Sequence, residues 1–278
     1  MRHRSTFRRL GRMMLLCLIL LWCVFPFAWL VDTSLKLGNN ALNSPLLSQG
    51  PFGFANYVAV FRQGFGHNMR NSAVVAGIST ILCVFISSPA AYTLGRLRLR
   101  RKVWILSGLL AASLFPPIAL VAPLYEVWLK LGLLDTYPGL YIPYTAFSLP
   151  LTIFILTTFF TSIPWEMEEA ARVDGATPFQ AFSRVILPLA APGIFTASIL
   201  VFVSSWNEFL IASTVAPRNP AVQTIPVAIS TFTGSVPFER PIGTITAACV
   251  TATVPLILLV LLFQKRIIAG LTAGAIKG

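Results

Sequence analysis

Residues 13–31 read MMLLCLILLWCVFPFAWLV, nineteen positions without a charged side chain. A helix that crosses about 30 Å of hydrocarbon needs about 20 mostly apolar residues. An open strand of this composition would leave its backbone groups unpaired in lipid, so the run must be helical. Five more runs of this kind follow, at 71–95, 103–125, 136–164, 185–207 and 241–264. Composition agrees across the whole chain of 278 residues. Hydrophobic residues make up 56% and charged residues 11%, against about 25% charged in soluble globular proteins. A water-soluble enzyme and a disordered chain are both excluded, because neither can keep such a surface in water.

A seventh uncharged stretch, 219–238, contains Pro220, Pro226 and Pro237 among Gln, Ser and Thr. It is too polar and too broken for a lipid-facing helix, so it reads as an outside loop that dips against the protein. The basic residues test that choice. With the N-terminus inside and six spans threaded, fifteen Lys and Arg fall on inside segments and six on outside segments, which accounts for all 21. Such an excess marks cytoplasmic loops, so both termini are expected to be cytoplasmic. The net charge of +12 then reflects loop bias and not a nucleic-acid partner. The first span follows an Arg-rich start, but no small-x-small cleavage site comes after it; Asp32-Thr33-Ser34 does. It is expected to be an uncleaved anchor. Prolines inside several spans, Pro116 and Pro117 among them, are expected to bend their helices.

Missing chemistry narrows the function. The two histidines, His3 and His67, lie in a tail and a loop, and Cys17, Cys23, Cys83 and Cys249 lie singly in apolar runs. Neither a metal site nor a disulfide framework is expected, and no catalytic residue is assigned. No Gly is followed by Lys, so the GxxxxGK[ST] phosphate loop is absent and this chain cannot hydrolyse ATP by that route. Ion-coupled carriers place ionisable groups at mid-membrane. The only carboxylate inside a span edge is Glu208, beside Trp206 and Asn207. A stand-alone carrier or channel, and a membrane-embedded enzyme, are therefore the weaker classes. The chain offers a path or scaffold without an energy source of its own.

One inside segment carries more information. Residues 162–193 read SIPWEMEEAARVDGATPFQAFSRVILPLAAPG. The first half predicts a short helix starting near Pro164, with Glu166, Glu168 and Glu169 in its first turn where the macrodipole favours acids. Gly175 closes it in a left-handed cap. The second half predicts a helix capped by Thr177, with Pro178 at its first position and Gln180 completing a capping box. Glu168 and Arg172, four apart, read as a surface pair.

Glu169-Ala170-Ala171, then Gly175, then Val185, Leu187 and Pro188 resemble the EAA signature of ABC-importer permeases, with Val185 where that signature usually has Ile. Ser34-Leu35-Lys36, Asn56-Tyr57, Asn71-Ser72, Asp174-Gly175-Ala176 and Trp206-Asn207-Glu208 are similar to its carbohydrate branch. The tail from Gly270 to Gly278 is similar to that of the six-helix subunit of maltose-type importers, and trehalose-type importers look closest.

The resemblance implies an all-α membrane protein of the ABC type I importer permease kind. Residues 1–278 would form one permease domain with a coupling loop at 162–190 and a cytoplasmic tail at 265–278. It further implies a second permease subunit, two ATP-binding subunits that bind ATP and Mg, and an extracytoplasmic sugar-binding protein, assembled in the lipid of the bacterial cytoplasmic membrane. Glu169, Ala170, Ala171, Asp174, Gly175, Leu187 and Pro188 would couple to an ATPase. Gly274, Lys277 and Gly278 of the tail would enter the ATPase interface. Gly234, Ser235, Val236, Pro237 and Phe238 would probe the binding protein, and Trp206, Asn207 and Glu208 would border the solute path. A disaccharide such as trehalose or maltose is the implied cargo, with glycerol phosphate or another polar solute as the alternative.

Overall fold

A computed structural model describes residues 2–37, 51–97, 99–217, 219–232 and 241–273, and the backbone among them is helical. Each apolar run has become a helix. α1 (Arg2–Leu35), α3 (Phe65–Arg96), α6 (Tyr137–Ser162) and α13 (Ile242–Ala273) are each long and apolar enough to cross a membrane. The third and fifth runs are broken. α4 (Lys102–Ser113) and α5 (Ile118–Leu131) meet at 84°. The break falls on Phe115-Pro116-Pro117, where each proline removes a donor and disfavours helical geometry in the residue before it. The segment Pro178–Leu189 meets α10 (Ala191–Trp206) at 73°, between Pro188 and Pro192. Counting each bent pair as one gives six spans, as the sequence predicts. The sixth run differs at its end, since α13 keeps its helical backbone to Ala273, nine residues past the expected exit at Gln264.

The chain divides into two compact units, 1–66 with 229–255, and 67–228 with 256–278. In the first, α1 carries its apolar residues on all sides, and these are exposed within this chain, the pattern of a lipid-facing span. Where α1 ends, the motif residues form a knot. Lys36 pairs with Asp32 at 2.7 Å, with both side chains largely buried. The Ser34 and Tyr57 hydroxyls share a 2.7 Å hydrogen bond. Asn56, on α2 (Ala55–Arg62), donates to the carbonyls of Ser34 and Lys36 at 2.9 and 2.8 Å. Ser34-Leu35-Lys36 and Asn56-Tyr57 thus satisfy the backbone carbonyls that α1 leaves without helical partners. Gly243 at the start of α13 lies against this knot, where a Cβ would come within 2.7 Å of the Asn56 amide.

The second unit has one apolar cluster at each end. At one end Val75, Leu140, Tyr144, Val215 and Val227 pack together. At the other, Leu94, Leu156, Phe160 and Ile186 do. The uncharged stretch after Pro217 does dip against the protein. Asn68 and Asn71 both donate to the Gln223 carbonyl at 3.0 Å. Tyr137 donates to Asn71 at 2.7 Å, and the Ile225 amide donates to the Ser72 hydroxyl at 2.9 Å. The short helix α12 (Ile225–Ser230) buries Ile225, Val227 and Ala228. Asn71-Ser72, a pair that a hydropathy pattern cannot explain, is there to hold this loop.

Candidate functional site

The segment 162–190 folds as two helices set on the Leu94–Phe160 cluster. α7 (Glu166–Val173) carries Glu166, Glu168 and Glu169 in its first turn. Its C-terminus is a Schellman motif. The Gly175 amide donates to the Arg172 carbonyl and the Ala176 amide to the Ala171 carbonyl, both at 3.0 Å, with Gly175 at φ +86°. α8 (Pro178–Ala181) opens with the predicted capping box, Gln180 N–H to the Thr177 hydroxyl and Thr177 N–H to the Gln180 side chain. It does not stop there. A π-turn over Phe182–Ile186 and a short helix α9 (Leu187–Leu189) carry it to the 73° break. The π-turn ends two residues before Pro188, whose nitrogen has no hydrogen to donate to the Arg184 carbonyl.

Each candidate residue of this loop has a definite place. Ala171 is buried while Ala170, Asp174 and Gly175 are exposed. Glu169 is exposed and accepts from the Trp165 indole at 2.8 Å. Between α7 and the following helix lies an open cavity of about 440 Å³, floored by Ala170, Ala171, Gly175 and Ala176 and edged by Asp174 and Arg184. Leu187 is half-buried against the inner cluster, and Pro188 is exposed. Glu168 corrects the sequence reading. It is not half of a surface pair; it is 1% exposed and ties Arg172 to Tyr92 and Arg96 of α3. Two residues were missed. Val173 is 86% exposed and Phe179 75%, more than the other exposed apolar residues of the loop, Trp165, Met167 and Leu189. Their signal was present as apolar residues beside the Gly175 turn, one at the end of the acidic α7 and one at the start of α8; exposed apolar groups of this kind mark contact surfaces.

The three candidate residues at the end of α10 differ in exposure and in their contacts. Trp206 is buried and stacked on Phe202, 5.7 Å between centroids. Glu208 accepts from the Ile211 and Ala212 amides at 2.8 and 3.0 Å, capping α11 (Leu210–Val215). Asn207 is exposed and donates back to the Val203 carbonyl. A larger cavity of about 800 Å³ lies one turn further in, at the break between α4 and α5. Ser113, Phe115, Phe147, Ser148, Thr152 and Ser204 are on its wall. Ser148 and Thr152 sit near the middle of the 26-residue α6, so the cavity is at mid-span depth. The loop candidates Gly234, Ser235, Val236, Pro237 and Phe238, and the tail candidates Gly274, Lys277 and Gly278, lie outside the described residues. Among the described residues no three His, Cys, Asp or Glu gather to hold a metal.

Residues 84–272 match the family described as binding-protein-dependent transport system inner membrane component. Over 262 residues the chain is 44% identical to the trehalose transport system permease protein SugB of Mycobacterium tuberculosis, spanning 94% of this chain and 95% of that one. It is 42% identical over 258 residues to the sulfoquinovosyl glycerol transport system permease protein SmoH of Agrobacterium fabrum, spanning 92% and 89%. In the crystal structure of a bacterial ABC transporter that imports the acidic polysaccharide alginate, one chain has the same fold. Its TM-score is 0.78 over 94% of this chain and 96% of that chain, at 22% identity.

Proposed function

We propose a function from one premise: the chain belongs to the family of binding-protein-dependent transport system inner membrane components. It is a permease subunit of a sugar importer, and trehalose is its cargo. The observation that carries the cargo is the 44% identity, over nearly the whole chain, to a trehalose permease. The second relative moves a sulfoquinovosyl glycerol. Both solutes are hydroxyl-rich, and the mid-span cavity has Ser113, Ser148 and Ser204 along with Phe115 and Phe147 on its largely apolar wall. Broken helices at mid-membrane are where transporters commonly build solute sites. Of Trp206, Asn207 and Glu208, the exposed Asn207 is the one placed to meet a passing solute.

Energy comes from partners. A second permease completes the path, and two ATP-binding subunits hold ATP and Mg. α7 and the start of α8 seat on one of them through Val173, Phe179 and the small-residue cavity beside Ala170 and Gly175. Closure of the ATPase pair displaces α7, and the spans tilt from inward-facing to outward-facing. ATP and the loaded binding protein both favour the outward state, since a ligand shifts such an equilibrium only by its differential affinity. In this reading Gly234, Ser235, Val236, Pro237 and Phe238 are the contact for the binding protein, and Gly274, Lys277 and Gly278 are the contact for the ATPase interface.

The complex of this chain, its permease partner, the ATPase and the binding protein, reconstituted in liposomes, is expected to take up labelled trehalose in an ATP-dependent manner. Unlabelled trehalose and maltose should compete. Uptake of sulfoquinovosyl glycerol or glycerol phosphate, and not of either disaccharide, would replace the cargo assignment.

Orientation is proposed from the fifteen-to-six split of basic residues, with both termini cytoplasmic. Asn68 and Ile225 are buried and would label poorly. Exposed Gln63 and Ala221, changed singly to cysteine, should react with an impermeant thiol reagent from outside, and Arg100 and Glu166 only after lysis. Labelling of Ala221→Cys from the cytoplasm alone would overturn the topology.

A further inference from the structure

Glu168 is one residue from the EAA signature and faces the opposite way. Its carboxylate is 1% exposed. Oε1 accepts from the Tyr92 hydroxyl and from Arg172 Nη2, both at 2.8 Å. Oε2 faces Arg96 Nε at 3.8 Å. The Arg96 side chain is 4% exposed, lies over the Trp165 ring at 5.4 Å and donates to the Pro164 carbonyl at 3.4 Å. Tyr92 is packed between Phe160 and Phe182. A buried carboxylate between two arginines is costly to assemble, and an apolar core of the same volume would hold the fold as well or better. Stability alone does not account for it.

Its placement does. Tyr92 and Arg96 are the last turns of α3, the 32-residue second span. They lie seventy residues or more upstream of α7. α7 packs its backbone against α8 and the π-turn, and chain connectivity links it to α6 before it and, through α8, to α10 after it. The polar link from α7 to α3 runs through Glu168. One half of that link is incomplete: at 3.8 Å the Arg96 Nε and Glu168 Oε2 atoms face each other, and neither has a hydrogen-bond partner among the described residues. About 1 Å of relative movement would convert this contact into a charge-assisted hydrogen bond of ordinary length.

We propose that Glu168 is a positioning residue that fastens the coupling helix to the cytoplasmic end of the second span through Tyr92 and Arg96. The contact closes and opens as α7 is displaced, so α3 moves with it. The inference rests on the importer reading of the chain.

The test uses the complete complex in liposomes and compares yield, ATP hydrolysis and uptake. Glu168→Gln keeps the shape and the Tyr92 hydrogen bond but removes the charge. The expected result is a complex of normal yield whose uptake falls at least tenfold (order of magnitude, one hydrogen-bonded charge contact). ATP hydrolysed per sugar should rise, because hydrolysis falls far less than uptake. Glu168→Met with Arg96→Met, an apolar replacement of the pair, should assemble and remain uncoupled. Restored coupling in that double variant would reduce the network to packing and overturn the proposal. So would normal uptake by Glu168→Gln, with the importer reading intact. A fall of hydrolysis and uptake in step with yield in both variants would make the role structural and also overturn it. If the unaltered complex takes up no sugar, the importer reading itself fails.

Discussion

Gly139→Ala should unfold the end of the second unit that holds Leu140 and Val215. A Cβ built on Gly139 would clash with the Leu133 carbonyl oxygen and lie 3.1 Å from Val215. The first obstacle is backbone, and it is held on its other side. Leu133 O accepts from the Thr136 hydroxyl at 2.7 Å, and Thr136 Oγ1 accepts in turn from the Gly139 amide at 3.1 Å, capping α6. Gly139 O accepts from the Trp128 indole at 2.8 Å. Moving Leu133 costs the Thr136 hydroxyl bond, and moving Gly139 instead costs the α6 cap and the Trp128 anchor. Overpacking costs about 1–3 kcal/mol where side chains can yield. Here the sum of strain and broken hydrogen bonds should reach about 3–5 kcal/mol. The measurement is thermal unfolding of the purified permease pair in detergent, with Gly77→Ala as control, since nothing lies within 4 Å of a Cβ there. An equal melting temperature for both variants would mean that the turn at 132–136 yields freely.

The sequence carried the architecture because lipid leaves the backbone few choices. The six charge-free runs had to be helices, and Thr177, Pro178 and Gln180 had to open one, since the capping box satisfies two orphan donors locally. Gly175 was legible for the same reason. Contacts between distant segments were not. Glu168 and Arg172 show a surface ion-pair spacing, and nothing local says that Tyr92 and Arg96 arrive from another helix to bury that carboxylate. Gly139 looks like any loop-edge glycine until Leu133 folds back over it. The prolines announced bending but not its size, because Pro116-Pro117 and Pro188 break their helices by 84° and 73° while Pro89, Pro143 and Pro150 stay inside unbroken ones. The difference lies in two consecutive prolines at the first break and a π-turn at the second. Trp206 fits the aromatic pattern of a solute path, yet it is stacked in the interior on Phe202, a contact that their four-residue spacing on α10 permits and does not require.

Gly175→Pro should abolish coupling without removing the protein from the membrane. Gly175 sits at φ +86°, where a proline, fixed near −65°, cannot go. Its amide closes the cap on Arg172, and proline has no amide hydrogen. Among the described residues nothing lies within 4 Å of a Cβ at this position, so the damage is confined to the aim of α7 and the cavity beside it. Losing the cap and forcing the turn costs about 3 kcal/mol locally, which shifts the population of correctly aimed α7 about a hundredfold. Uptake by the reconstituted complex should fall by that order while membrane level and melting temperature change little. Gly175→Asn separates backbone from space, because asparagine tolerates the left-handed conformation at small cost. If only the turn matters, Asn retains most of the uptake. If Asn fails as completely as Pro while the fold is intact, the missing side chain is what the site needs, and the partner approaches Gly175 closely enough to exclude one. Full uptake by Gly175→Pro would remove α7 from the coupling route altogether.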